Sequence, residues 1–255
     1  MFSSNDDDSF RAYLNAGTEN LDEIQAAGSP FLTVMDDLDS YLREHVSGPA
    51  VAPDELVMHS MLINARFLLM TAFRVGLTGH AAGVHPILRT ALETACYALL
   101  MAEDQTQSLT EIWMSRNDSR EALKACKKSF QQPIKSAQEI ANHRGQGLGD
   151  WMYALYESSI DFGAHPNAKT VTLHSRMSED ENGNSQFENV GLYAVGNYGY
   201  ECGLLACVEM GLAMAIVLSM THPVALKEAI RALQALNDQK NALAALIYQK
   251  HSQSE

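Results

Sequence analysis

Two charged residues stand alone in a run that is otherwise apolar nearly all round. Arg89 and Glu93 lie within PILRTALETACYALLMA, residues 86–102. They are one helical turn apart and can pair with each other. A charge taken out of water must be paired or neutralised, so two of them in a core helix describe either a polar pocket or an ion-pair network that fixes helix register. In the first case Arg89 and Glu93 bind or act on a ligand. In the second every buried charge serves packing specificity alone. His165, in the loop DFGAHPN (161–167), is the third candidate. Its imidazole could point into the same centre as a base or ligand. The alternative is a helix stop built on Gly163 and Pro166, with His165 capping the last carbonyls. Glu209 is the lone charge of a second apolar run, CGLLACVEMGLAMAIVLSMT (202–221). Arg66 and Arg74, on the helix before Arg89, are the expected partners of Glu93 or Glu209.

Most familiar chemistries are missing. No GxGxxG follows a strand, no GxxxxGK[ST] loop is present, and no GxSxG elbow or HExxH appears. A di-iron carboxylate bundle would need ExxH motifs, and none occurs. Glu55/His59 and Glu139/His143 have i,i+4 spacing on amphipathic helices and are expected on solvated faces. His80, His85 and His165 could form a lone metal site. No metal and no cofactor is expected. Four scattered cysteines do not make a disulfide framework or a zinc motif.

These residues need helices to hold them. Leu21, Ile24, Phe31, Val34, Met35, Leu38 and Leu42 recur at three- and four-residue steps, with Ser29-Pro30 as a break. A helix is expected from Asp54 to Leu77, and another from His80 or Pro86 to Glu103. A more polar one should cover Gln105 to Phe130, and a short one Pro133 to Arg144. Gly145 to Gly149 reads as a flexible joint, followed by a helix from Trp151 to Phe162 with Asp150 as its cap. The period then changes to two around Val171 and Leu173, and Asn182-Gly183 is a hairpin turn signal. Two long helices finish the chain, Tyr198–Met220 and Pro223–Lys250. The expected fold is all-α: a single-domain bundle of seven to eight helices over residues 13–255, with a small β-hairpin inserted near 170–193. Residues 1–12 read as an acidic flexible tail.

The chain has 255 residues, 46% of them hydrophobic, which suffices for a substantial core. Its net charge of -13 disfavours broad binding to nucleic acid or to an anionic membrane. No secretory signal pattern opens the sequence, so a cytoplasmic protein is expected. The 202–221 run is long enough to span a bilayer, but Glu209 near its middle favours a buried bundle helix. The Ala-rich last helix permits close packing and could serve a homodimer.

The run 65–103 contains Leu88-Arg89-Thr90-Ala91-Leu92-Glu93 after a Gly-bounded break, and His165 follows at the end of a later helix. In these features it resembles the DUF5677 family of bacterial proteins, related to HEPN-like helical domains. The resemblance covers about residues 55–170. It implies a compact helical bundle and no settled activity. HEPN nucleases carry Arg-x4–6-His, brought together across a dimer to cleave RNA, and the matching pair here is Arg74 and His80. That match implies a metal-independent ribonuclease as an alternative function, with His80 activating a ribose hydroxyl as general base. The leading expectation is a binding module for a small molecule or partner, centred on Arg89, Glu93 and His165.

Overall fold

A computed structural model describes residues 9–48, 52–164, 168, 172, 175–179 and 183–252. The fold is all-α. Helix α1 runs Phe10–Ala26 and α2 Pro30–Leu42. Then come α3 (Leu56–Leu77) and α4 (Ala81–Glu103), followed by three shorter helices: α5 (Ser108–Met114), α6 (Arg120–Ser129) and α7 (Pro133–Arg144). Helix α8 (Leu148–Ser159) passes into a wider turn at Ile160–Ala164. Helices α9 (Tyr198–Ser219) and α10 (Pro223–Ser252) close the chain. Before α9, β1 (Ser175–Glu179) pairs antiparallel with β2 (Ser185–Asn189), Met177 opposite Phe187.

The ends follow local rules. Ser9, Ser29, Ser119 and Asn197 each accept a backbone N–H of the helix they precede, and Pro30 and Pro133 open theirs. Helix α1 therefore begins at Phe10, inside the stretch read as tail. Pro86 sits inside α4 rather than at its start.

Helix α9 is the axis. It packs against α2, α3, α4, α8 and α10. Its residues Leu204, Met214 and Leu218 are buried among Leu38, Leu62, Leu69, Leu88 and Leu92. By length and composition two helical stretches among the described residues could cross a membrane, 53–77 and Tyr198–Ser219. The window in the second is 72% buried inside the bundle.

The polar helix expected over 105–130 is broken into α5, a 3-10 turn at Ser115–Asn117 and α6. Asp104 makes the first break. Its carboxylate accepts from Thr106 Oγ1 (2.6 Å), Leu109 N (2.7 Å), Ser108 Oγ (3.0 Å) and Thr106 N (3.1 Å). Those bonds, Thr106 Oγ1 foremost, pull its pKa down to about 2. A carboxyl depressed below its ordinary value of about 4 stabilises the fold above that value and loses the contribution as pH falls through the depressed one. Asp104→Asn should cost about 1 kcal/mol at neutral pH, because it removes the charge that strengthens these hydrogen bonds. The difference from wild type should close as urea midpoints are taken towards pH about 2. A gap that persists there would show that the charge is not what matters.

Candidate functional site

Arg89 and Glu93 do pair on α4, Nε to Oε1 at 2.9 Å. Tyr156 of α8 completes a small cluster. Its ring lies 5.2 Å below the guanidinium, and its hydroxyl is 3.5 Å from Glu93 Oε1. Burial raises the Tyr156 pKa, Arg89 opposing and Glu93 adding to it. The cluster is not locked in the interior, as the sequence suggested. The two charged side chains keep 22% and 32% of their exposure. The reason is geometric. Leu88, Leu92, Cys96 and Leu99 form the inner face of α4, and Arg89 and Glu93 fall one position round from it, at the seam with α8. The Arg89 stem lies along apolar surface while its head reaches the edge.

The other expected pairings are also different. Arg66 reaches Asp39 on α2 with two bonds, 2.7 and 3.0 Å, and not Glu93 or Glu209. Arg144 joins the Glu103 carboxylate to the Met220 carbonyl at the end of α9, where a cation complements the helix dipole. Glu201, 9% exposed, holds Lys250 Nζ (2.7 Å) and His251 Nε2 (2.8 Å) of α10. These are clamps between helices. His59, expected on a solvated face, is buried, and its Nδ1 has no hydrogen-bond partner among the described residues.

Arg74 and His80 are not brought together. Arg74 is exposed on the last turn of α3. His80 sits before α4 with Nδ1 2.8 Å from Thr78 Oγ1 and its ring 4.7 Å from that of Tyr13, edge to face. Burial lowers its pKa. No hydrogen bond or ring contact among the described residues joins the two side chains, and the resemblance pairs such residues across two copies of a chain rather than within one. His165 lies outside the described residues. Among the described residues no group of three His, Cys, Asp or Glu side chains could hold a metal ion.

A cavity of about 540 Å³ lies one helix face away from the Arg89 cluster, between α4, α8 and α9. Leu88 of α4, Leu155 of α8 and Leu205 of α9 wall it. Tyr193 and Tyr198 also line it, as does Phe162 on the turn after α8. His85 and Glu209 are its titratable groups of ordinary pH. Cys202, Leu205, Ala206 and Glu209 reach it because they share a stripe of α9 at three- and four-residue steps. Glu209 was legible as an anomalous charge. His85 stood out only as one of a possible metal set with His80 and His165, and Tyr193 not at all, since nothing local marks a residue that a neighbouring helix will face. Burial raises the Glu209 pKa, and Lys240 of α10 opposes that rise.

Comparison with family models, with curated proteins and with solved structures finds no match to this chain.

Proposed function

We propose that this chain is a helical binding module that takes a small, largely apolar molecule into the cavity between α4, α8 and α9. The observation that carries this is the cavity itself. Its 540 Å³ fall within the range of ligand sites, and it combines leucine and tyrosine walls with few polar groups. The binding centre then moves from Arg89 and Glu93 to the adjacent face of α4, and Arg89, Glu93 and Tyr156 brace α4 against α8. The likeness of Leu88–Glu93 to the DUF5677 family supports a helical bundle and assigns no reaction. The same proposal includes a cytoplasmic setting, suggested by the unpaired cysteines, and a homodimer through α10, where Ile230 and Tyr248 are exposed on one flank. It also takes the strand pair before α9 as a small inserted hairpin.

A saturating ligand stabilises a fold by about 2.7 kcal/mol at a hundred times its Kd. For a chain of this size that is a rise in melting temperature of roughly 5–10 °C. Indole, tryptophol or 1-hexanol should produce such a rise in the wild type. Ala206→Trp, which fills the cavity from α9, should abolish it while leaving the unliganded melting temperature within a few degrees. No rise with any of these molecules would refute the proposal.

A further inference from the structure

The same cavity, taken as a binding site, carries information about charge. Glu209 is the sole charged residue between Cys202 and Thr221, in mid-helix, where its carboxylate caps nothing. Among the described residues it has no hydrogen bond and no ion pair. The charged and titratable groups near it come from three elements. Lys240 of α10 acts on it from beyond ion-pair distance, Cys202 lies about two turns before it on α9, and His85 of α4 lines the same cavity. A half-withdrawn carboxylate without a donor is a costly thing to retain in a helix of Leu, Ala and Met. A group that brings both a proton donor and a positive charge would satisfy it. An anion would be repelled, and a neutral molecule could at most donate a hydrogen bond, leaving the charge of the desolvated carboxylate uncompensated.

The rest of the lining fits the same chemistry. Tyr193, Tyr198 and Phe162 line it, and aromatic rings attract a cation as well as an apolar body. The net charge of -13 raises the local concentration of cations around the whole molecule. We infer that the cavity selects a hydrophobic monocation, an alkyl- or arylalkyl-ammonium whose nitrogen pairs with Glu209 while its apolar body lies against Leu88, Leu155 and Leu205. This rests on the cavity being a ligand site, as proposed above. Lys240 is then a competitor for the same carboxylate, and its removal should favour the ligand.

Matched pairs test this on the full chain by calorimetric titration: hexylamine against 1-hexanol, and tryptamine against tryptophol. The wild type should bind each amine at least about tenfold more tightly than its alcohol, the size of one charge-assisted hydrogen bond. Glu209→Gln should erase that preference and keep alcohol binding within about twofold, which also reports that the variant is folded. Lys240→Gln should tighten the amines a few-fold and leave the alcohols unchanged. Equal binding of amines and alcohols to the wild type, with both blocked by Ala206→Trp, overturns the charge selectivity and leaves the cavity as a neutral site. An amine preference that survives Glu209→Gln overturns the role of Glu209. If no probe binds the wild type at all, the binding site itself is refuted and the selectivity falls with it.

Discussion

Gly149→Ala should destabilise the fold by at least about 3 kcal/mol, seen as a lower urea midpoint. Helices α7 and α8 cross with almost no space at this residue. A Cβ there would press into the Gln138 carbonyl oxygen of α7, 2.8 Å from the Gln138 carbonyl carbon and 2.9 Å from Asn142 Cγ. Backbone cannot yield as a side chain can, so the helices must separate. Separation would break a polar joint as well. Asn142 Oδ1 accepts from the N–H groups of Gly149 (2.8 Å) and Asp150 (3.3 Å), two of the orphan donors at the start of α8. Asp150 in turn accepts from Asn142 Nδ2 and Gln138 Nε2, which hold its carboxyl below the usual range. Asn142→Ala alone should cost about 1–2 kcal/mol, since it removes only these bonds. Because α8 carries Leu155 of the cavity wall, Gly149→Ala should also weaken binding of 1-hexanol. A midpoint indistinguishable from wild type would show that the helices are free to move apart.

Gly149 also shows where the sequence stops being informative. Glycines at 145, 147 and 149 read as a flexible joint because a glycine that permits close packing looks the same, in one dimension, as one that permits motion. Helices α3, α4 and α9 were legible, because a period of 3.6 and long apolar runs depend on the chain alone. The break at Asp104 was not. The charges after it continue an amphipathic pattern, and only the bonds to Thr106, Ser108 and Leu109 end it. Arg89 and Glu93 were identified as a pair, but their depth was misjudged. A helix that is apolar around most of its surface still has edges, and a long side chain at an edge can reach water. The partner of Arg66 was misassigned because Asp39 lies on α2, a helix that local pattern does not connect to α3. The cavity depends on the relative placement of three helices, which no spacing in the sequence encodes.

Asn20→Ala should cost about 3 kcal/mol, an effect out of proportion to a polar residue on the amphipathic first helix. Its amide is buried, 6% exposed, and joins three segments far apart in the chain. Nδ2 donates to the carbonyls of Thr78 (3.2 Å) and Tyr193 (2.9 Å), and Oδ1 accepts from Val195 N (3.3 Å). Tyr193 N in turn donates to the Gly79 carbonyl at 2.9 Å. The turn between α3 and α4 is thereby fastened to the strap that leads into α9. Gly79 fits there because its φ is +90° and a Cβ would meet Asn20 Nδ2 at 2.6 Å. Alanine at position 20 leaves two carbonyls and one N–H without partners in a buried place, at roughly 1 kcal/mol each. Aspartate keeps the acceptor but turns both donors into a carboxylate facing two carbonyl oxygens, so Asn20→Asp should be at least as damaging at neutral pH. The exposed Asn64 of α3 is the control, since its replacement by alanine should move stability by under about 0.5 kcal/mol. The loss should also be local before it is global. Hydrogen exchange of the 192–197 amides should accelerate first, and amine binding should weaken, because Tyr193 and Tyr198 line the cavity. If Asn20→Ala unfolds within about 1 kcal/mol of the wild type and leaves exchange at 192–197 unchanged, the strap is held by its apolar contacts, with Leu192 foremost, and not by this amide.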